Sequence, residues 1–276
     1  MNILITGGYG LIGRNLVSGL SKNDNLNIFL ICRKIKPLNF PSNVVNIKHD
    51  LLTSIPVEKI PKNINVVIHL AAIAHTTSSV VKEINCLMTK NITNAFLNKK
   101  IKFIFFSSVA VYGEANRIFP IKISDYCKPY SSYGHGKLKD EELISSSFKD
   151  FIILRLCPVI EGNDTDLLKR VYLPKTKIKY RSPYNRSYSF LNFKTIFKTI
   201  SNIIKENQLT QKTINLKDSS NYNEIDILKK YNGKEVEIPL LVTEPLFYFL
   251  NRFSFLPKMY AVNCLLTKML KSNTYE

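Results

Sequence analysis

The chain has 276 residues, of which 45% are hydrophobic, and it carries a formal net charge of +18 at pH 7. This length and apolar content fit one large or two small globular domains with a sizeable core. Nucleic-acid binding is disfavoured, because the basic residues are spread along the whole chain and no RNA- or DNA-binding motif accompanies them. An AT-rich genome, which encodes many lysines, and a phosphate-bearing ligand account for the charge instead.

The five cysteines are odd in number, scattered, and at no metal-ligand spacing. We therefore expect reduced thiols, a cytoplasmic protein and no metal site. The chain opens on MNILITGG, which predicts a strand from its first residues, so no signal peptide is expected.

The first 160 residues predict strands that alternate with helices. Continuous apolar runs separated by helical patterns are typical of a parallel sheet covered on both faces. The predicted strands are residues 2–6, 26–31, 44–47, 65–70, 103–106 and 152–156. The predicted helices are residues 11–20, residues 80–97 and the segment that carries Tyr133.

Residues 161–276 are less regular and predict a small second region, with a helix over 192–205 and a strand over 213–216 that returns to the sheet. The last forty residues are aromatic and apolar, but Arg252, Lys258 and Lys268 interrupt the run before it reaches the length of a membrane-spanning helix. Two interpretations remain: a helix pair packed on the body, which we favour, and an interfacial membrane helix.

A glycine-rich loop joins the first predicted strand to the first predicted helix. Glycines lie at positions 7, 10 and 13, and residues 8–13 also satisfy the G-x-G-x-x-G spacing. Such a loop permits a tight turn and close approach to a pyrophosphate, which the helix N-terminus then attracts. At the first strand-to-helix junction of an alternating chain, this motif predicts an α/β fold with a Rossmann-type doubly wound parallel sheet that binds a dinucleotide.

The end of the second strand indicates which nicotinamide cofactor is bound. An acidic residue there binds the ribose of NAD, whereas Arg accommodates the 2′-phosphate of NADP. The strand is followed by Arg33 and Lys34, with no carboxylate. The sequence therefore favours NADP, with NAD as the alternative.

Tyr133 and Lys137 form a candidate proton-transfer pair, with Ser108 upstream. Four residues apart on a helix, the Tyr and Lys side chains share one face. An adjacent ammonium favours the phenolate, so we expect the pKa of Tyr133 to fall below about 10. Tyr133 would then exchange a proton near neutral pH while the Ser108 hydroxyl holds a carbonyl or alkoxide oxygen.

Taken together, these motifs resemble those of extended short-chain dehydrogenases/reductases, the branch that modifies nucleotide-activated sugars. The resemblance covers residues 1–216 and rests on TGGYGLIG, on HLAA at 69–72, on SSVAVYG at 107–113 and on the Tyr133/Lys137 spacing. The segment from Asn85 to Thr89 resembles the family's N-x-x-x-T motif, whose Asn stabilises the central helix. Residues 186–192 resemble its R-x-x-x-V-x-D segment, except that Asn192 replaces the usual Asp.

The resemblance implies a role for each matched residue. Ser108, Tyr133 and Lys137 would be catalytic, and Ser108, Tyr133 and Arg186 would bind substrate, with Arg186 on the diphosphate and Arg181 or Arg170 as possible helpers. His69 and His75 are interpreted as packed or hydrogen-bonded residues. The implied cofactor-binding residues are Gly7, Gly10, Leu11, Ile12, Gly13, Arg33, Asp50, Leu51, Leu70, Ala71, Ala72, Tyr133, Lys137 and Pro158.

The resulting prediction is an NAD(P)-dependent reductase of a keto group on a nucleotide-linked sugar, working in surface polysaccharide synthesis. A 4-epimerase of the same fold with tightly bound NAD is the alternative. A non-catalytic dinucleotide-binding sensor or scaffold is less favoured, because both Tyr133 and Lys137 are present. The resemblance also implies a homodimer.

Overall fold

The computed structural model describes residues 1–73, 80–115, 117–160, 171–172, 176, 178–206, 208–230 and 232–276. The strands are β1 Asn2–Thr6, β2 Asn27–Cys32, β3 Val44–Lys48, β4 Val66–His69, β5 Lys102–Ser108, β6 Phe151–Leu156, β7 Ile178–Arg181, β8 Ser187–Tyr188, β9 Gln211–Leu216, β10 Tyr222–Asn223 and β11 Lys234–Glu237. The helices are α1 Leu11–Leu20, α2 Val81–Phe96, α3 Ser132–Ser147, α4 Phe193–Ile203, α5 Glu224–Lys230, α6 Leu240–Arg252 and α7 Pro257–Leu270.

A seven-stranded sheet runs in the order β3-β2-β1-β4-β5-β6-β9. From β1 the chain builds outward through β2 and β3, then crosses back to place β4 on the other side of β1, with parallel pairing throughout these strands. A doubly wound sheet binds ligands where its strand order reverses, outside the carboxyl ends of the strands. The predicted α/β Rossmann-type fold is confirmed.

The central strands do not alternate apolar with polar residues, because both of their faces are buried. All four residues of β4 and all six of β6 are buried, as expected for strands covered on both faces. The core between sheet and helices includes Leu4, Val67, Phe103 and Ile153.

The chain forms two compact units, and each is described by itself. The first comprises residues 1–111, 132–156 and 193–214, and the second comprises residues 112–131, 157–192 and 215–276. The division predicted from the sequence, residues 1–160 and residues 161–276 with a strand over 213–216 returning to the sheet, stays a prediction. The second unit takes in residues 112–131 because that segment bonds to α7: the Tyr260 hydroxyl donates to the Lys128 carbonyl at 2.6 Å.

Within the second unit, short strands and helices share small apolar clusters. β7 pairs with β11 in parallel and β8 pairs with β10 antiparallel. Helix α6 buries Phe247 against Tyr180 and Leu270. Among the described residues, no helix combines the length and hydrophobicity needed to cross a bilayer.

Candidate active site

The loop between β1 and α1 is shaped by glycine. Gly7 adopts a φ of +72°, and a Cβ atom there would lie 2.7 Å from the Ala71 backbone nitrogen at the end of β4. A Cβ atom at Gly13 would overlap the carbonyl oxygen of Gly7. Only glycine therefore allows the first turn of α1 to approach the end of β1 this closely.

The N-terminus of α1 fits an anion. Its N-cap is Gly10, no side chain caps the helix, and its first turn contains no acidic residue. The backbone N–H groups of that turn, which includes Leu11, Ile12 and Gly13, lack intrahelical acceptors and carry the positive end of the helix dipole. This geometry is the one that binds a phosphate group.

A cleft of about 1090 Å³ opens beside this loop, within the first unit. It is lined by the glycine loop and by the residues that follow β2, β3 and β4, which places it at the reversal of strand order. The predicted cofactor residues that line it are Gly7, Gly10, Arg33, Asp50, Leu51, Leu70, Ala71 and Ala72. The cleft thus has the position and the lining that a dinucleotide requires.

A buried hydrogen-bond chain joins β1, β4 and α2 below the cleft. The imidazole of His69 is bonded to the hydroxyls of Thr6 (2.6 Å) and Thr89 (3.2 Å), and the Ala71 N–H donates to the Thr6 hydroxyl at 3.2 Å. Burial, followed by the nearby Lys137 charge, lowers the pKa of His69 to about 3. His69 is therefore a neutral, packed residue rather than an acid/base, in line with its interpretation from the sequence.

Asn85 anchors the backbone that leaves β4. Its side-chain oxygen accepts from the Ile73 N–H at 2.8 Å, and its amide donates to the Ile73 carbonyl at 3.0 Å. Ile73 lines the cleft, so α2 holds this wall of the cleft through one amide side chain. The contact fixes the backbone after β4, and the helix-stabilising role that the family resemblance implies for Asn85 stays a prediction.

Ser108 and Tyr133 meet at the end of β5. Ser108 is the last residue of β5, Tyr133 lies in the first turn of α3, and their side chains are hydrogen-bonded. The Ser108 hydroxyl also accepts from the Ala110 N–H at 3.2 Å, which fixes its position. The structure therefore brings together the two hydroxyls that the sequence predicted to hold and protonate one oxygen.

The expected fall in the pKa of Tyr133 is wrong for this structure. Burial raises the pKa of Tyr133 to about 12, and the Asp140 carboxylate adds to the increase, while only the Ser108 hydrogen bond lowers it. The Lys137 ammonium donates to the Phe106 carbonyl at 2.7 Å and lies 5.9 Å from the centre of the Tyr133 ring. Desolvation of the phenolate outweighs the attraction that helix spacing alone suggested.

Lys137 is itself a perturbed cation. Its side chain is buried, and its Nζ atom lies 4.5 Å from the centre of the Phe105 ring. Burial lowers the pKa of Lys137 to about 8, although the carboxylates of Asp140 and Glu141 pull in the opposite direction. Strongly perturbed groups gathered beside a cleft are typical of active sites.

A buried ion pair, which the sequence reasoning missed, supports this set. Arg155 on β6 donates to both carboxylate oxygens of Glu141 on α3, at 2.7 Å through Nη2, and the Ser107 hydroxyl donates to the same carboxylate. Glu141 follows Lys137 by one helical turn, and Ser107 precedes Ser108. The contact therefore fixes α3 against the ends of β5 and β6. The parallel register places Ser107 opposite Arg155, a neighbour relation that becomes known only when the two strands are paired.

The protein family described as NAD dependent epimerase/dehydratase has a sequence profile that matches residues 3–171, more than half of the chain. The chain belongs to this family. Its glycine loop, its cleft at the reversal of strand order and its Ser108/Tyr133/Lys137 set all lie within the matched residues.

Three relatives illustrate the likeness. A UDP-glucose 4-epimerase of Vibrio cholerae is 30% identical over 187 residues, which is 62% of this chain and 56% of the relative. A D-erythronate dehydrogenase of Haemophilus influenzae is 32% identical over 56% of this chain and 54% of its own. A UDP-N-acetylglucosamine 4-epimerase structure from Methanobrevibacter ruminantium M1, in complex with UDP-N-acetylmuramic acid, is 25% identical with a TM-score of 0.70, covering 87% of this chain and 86% of that one. The chain spans about half the length of the two curated relatives.

Arg186 does not present free donors. Its guanidinium is fully buried in the second unit, where Nε donates to the Glu224 carboxylate at 3.0 Å and Nη1 donates to the Tyr180 hydroxyl at 3.2 Å. Binding of a diphosphate by Arg186 stays a prediction, and it would require the pair with Glu224 to open. Of the suggested helpers, Arg181 is exposed at the end of β7, whereas Arg170 lies outside the described residues, as does His75.

The resemblance implies an Asp at position 192, whereas the contacts of the Asn found there suit an amide. Its backbone N–H and its side-chain amide donate to the two carboxylate oxygens of Asp218, at 3.1 and 2.9 Å. An Asp at 192 would place two carboxylates in contact, whereas an amide supplies the required donor. Pro158, predicted to bind the cofactor, also lies in the second unit, where its carbonyl accepts from the Leu191 N–H at 3.0 Å.

Proposed function

We propose that the protein is an NADP-dependent oxidoreductase that reduces a keto group of a nucleotide-activated sugar. The observation that carries this proposal is the bonded Ser108–Tyr133 pair, with Lys137 one helical turn away, at the carboxyl end of β5. β5 lies directly beside β4, whose following residues line the cleft. Tyr133, the proposed proton donor, therefore lies at the end of the strand next to β4, whose following residues border the proposed dinucleotide site.

The protein's own groups supply the proton chemistry. The bound dinucleotide would supply the hydride. Tyr133, held protonated at neutral pH by a pKa of about 12, donates its proton to the alkoxide oxygen as it forms. Ser108 hydrogen-bonds the same oxygen, and Lys137 adds a positive charge within the same buried region. A protonated phenol suits the reducing direction, since reduction consumes a proton.

Four cations support the choice of NADP over NAD. Arg33, Lys34, Lys36 and Lys48 all line the cleft where β2 and β3 end. Lys48 lies close to the residues that follow β2 because it is the partner of Cys32 at the ends of these neighbouring parallel strands. Lys48 and Lys36 were not predicted from the sequence, and with Arg33 they give a 2′-phosphate a cationic surface that a ribose hydroxyl does not need.

The substrate class is taken from the family. The relatives named above include epimerases of UDP-sugars, and the +18 charge of this chain suits a diphosphate-bearing ligand. A role in surface polysaccharide synthesis, a cytoplasmic location and a homodimer belong to the same proposal.

Identification of the nucleotide that co-purifies with the protein tests the cofactor first. Protein denatured in acid and base should release NADP(H), identified by mass through its 2′-phosphate. The purified protein should then oxidise NADPH in the presence of a UDP- or dTDP-4-keto-6-deoxy sugar. Firm NADPH binding without turnover of any such sugar would contradict the reductase proposal.

A 4-epimerase with tightly held NAD is the second candidate. The observation that favours it is the 30% identity to the Vibrio cholerae UDP-glucose 4-epimerase over 187 residues. An epimerase oxidises and reduces its cofactor within one cycle, so it would release NAD on denaturation and interconvert two UDP-sugars without net NADPH consumption. Release of NAD together with such interconversion selects this candidate over the first.

A further inference from the structure

Helix α6 is apolar on two faces but buried on only one. Thr243, Phe247 and Leu250 face the interior of the second unit at the spacing of one helical stripe. Outside that stripe, Leu241 is 88% exposed and Tyr248 is 74% exposed. A helix that is apolar all round is normally buried all round, so this one lacks a partner for its second face.

The exposed side chains continue beyond the helix as an aromatic cluster. The ring centroids of Phe249 and Phe253 are 4.8 Å apart, and those of Phe253 and Phe255 are 6.2 Å apart. Phe255, in the turn before α7, is 74% exposed. We call this surface the α6 outer face, and its members are Leu241, Val242, Tyr248, Phe249, Phe253 and Phe255.

Exposure of these apolar side chains to water is unfavourable in free energy. Full burial of one large apolar side chain is worth about 1.5–3 kcal/mol, and isolated soluble proteins rarely expose several together. All six side chains belong to the second unit and are carried by one helix and the turn that follows it. The exposed side chains therefore lie on one short stretch of the chain, α6 and the turn that follows it.

The charged residues near the α6 outer face indicate which kind of partner covers it. Arg252 lies in the last turn of α6 and Lys258 in the first turn of α7, so cations flank Phe253 and Phe255 in the sequence. Glu244, the acidic residue of α6, accepts from the Tyr184 hydroxyl at 2.7 Å. These cations attract an anionic bilayer, and the net charge of +18 on the whole chain adds to that attraction.

We propose that the α6 outer face docks on the surface of an anionic lipid bilayer. Phe and Leu side chains would enter the boundary between headgroups and acyl chains, Tyr248 would lie at headgroup level, and Arg252 and Lys258 would meet lipid phosphates. The helix would lie on the bilayer. The proposal is independent of which cofactor or sugar the first unit takes.

Vesicle co-sedimentation of the full chain tests the proposal. The probes are phosphatidylcholine vesicles with and without phosphatidylglycerol, at low and high salt. We expect binding to the anionic vesicles, weakened by salt because the cationic contacts are screened. The double variant Phe249→Glu/Phe255→Glu should lower the partition coefficient about tenfold or more, since two apolar anchors are replaced by anions.

Ile118→Glu is the matched control, because Ile118 is an apolar residue of the second unit that is 89% exposed and lies outside the α6 outer face. It should bind vesicles as the unsubstituted chain does, and circular dichroism should show all variants folded. Arg252→Ala/Lys258→Ala should weaken binding to anionic vesicles while leaving the apolar face intact.

Three outcomes would overturn the proposal: no binding of the unsubstituted chain to anionic vesicles, equal loss in the Ile118→Glu control, or undiminished binding of the Phe249→Glu/Phe255→Glu variant. Light scattering provides a further check. If the unsubstituted chain is a dimer that the double variant converts to a monomer, and neither binds vesicles, the face joins two copies of the chain and the lipid proposal is wrong.

Discussion

The two units each contain a deeply buried cation, and the two cations are held in different ways. Lys137 in the first unit donates to a backbone carbonyl, and burial lowers its pKa to about 8. Arg186 in the second unit contacts the Glu224 carboxylate directly, and both side chains are almost fully buried. Lys137 is thus held by a neutral acceptor, whereas Arg186 is held in an ion pair whose loss would leave a carboxylate buried without its partner.

The largest effect expected from this contrast is on turnover in the first unit. Tyr133→Phe removes the proton donor and leaves the ring packed, so turnover should fall by about 10²–10⁴. Nucleotide binding should stay within a few fold, because the glycine loop is untouched. Steady-state NADPH oxidation and fluorescence titration measure the two quantities. Tyr248→Phe, in an exposed position, is the control and should match the unsubstituted enzyme.

In the second unit, the expected effect is on stability. Arg186→Ala leaves the Glu224 carboxylate buried without its partner, which should lower the free energy of unfolding by about 3–5 kcal/mol. Urea denaturation measures this change. Lys122→Ala breaks the exposed Lys122–Glu276 pair and should cost below about 1 kcal/mol. Equal effects of the two substitutions would mean that the buried Arg186–Glu224 pair contributes no more to stability than an exposed pair.

The pH dependence of stability tests the state of Lys137. Its pKa is about 8 in the folded chain, against 10.5 for an ordinary lysine, so between these pH values the unfolded chain binds more protons than the folded one. Stability relative to Lys137→Met should therefore rise from pH 8 to about 10.5, by on the order of 3 kcal/mol. Urea midpoints at several pH values measure this. A flat difference would mean that folding does not lower the pKa of Lys137.

The smallest expected effect concerns the choice of cofactor. Arg33→Ala removes one cation from the cleft wall and should weaken NADPH binding about tenfold while changing NADH binding little, because only NADPH carries the 2′-phosphate. Titration of both nucleotides measures the ratio. Lys22→Ala, in the exposed turn after α1, is the control. Equal weakening of both nucleotides would mean that Arg33 does not contact the 2′-phosphate.

The sequence predicted the first unit better than the second, and the reason is physical. The glycine loop and the strand ends act through the backbone, whose geometry follows from local sequence, and Gly7, Ala71 and Asp50 all line the cleft as expected. The Arg186–Glu224 pair joins residues 38 positions apart, which no local pattern records. The predicted fall in the pKa of Tyr133 was wrong because helix spacing indicates that Lys137 is near but does not indicate how deeply Tyr133 is buried.

The amide-to-carboxylate contact between Asn192 and Asp218 links two positions that are 26 residues apart. A change to Asp at 192 alone would bring two negative charges together, and loss of the carboxylate at 218 alone would remove an acceptor that Asn192 uses twice. We therefore expect substitutions at positions 192 and 218 to occur together. A chain with an acidic residue at 192 is therefore expected to carry a hydrogen-bond donor at 218.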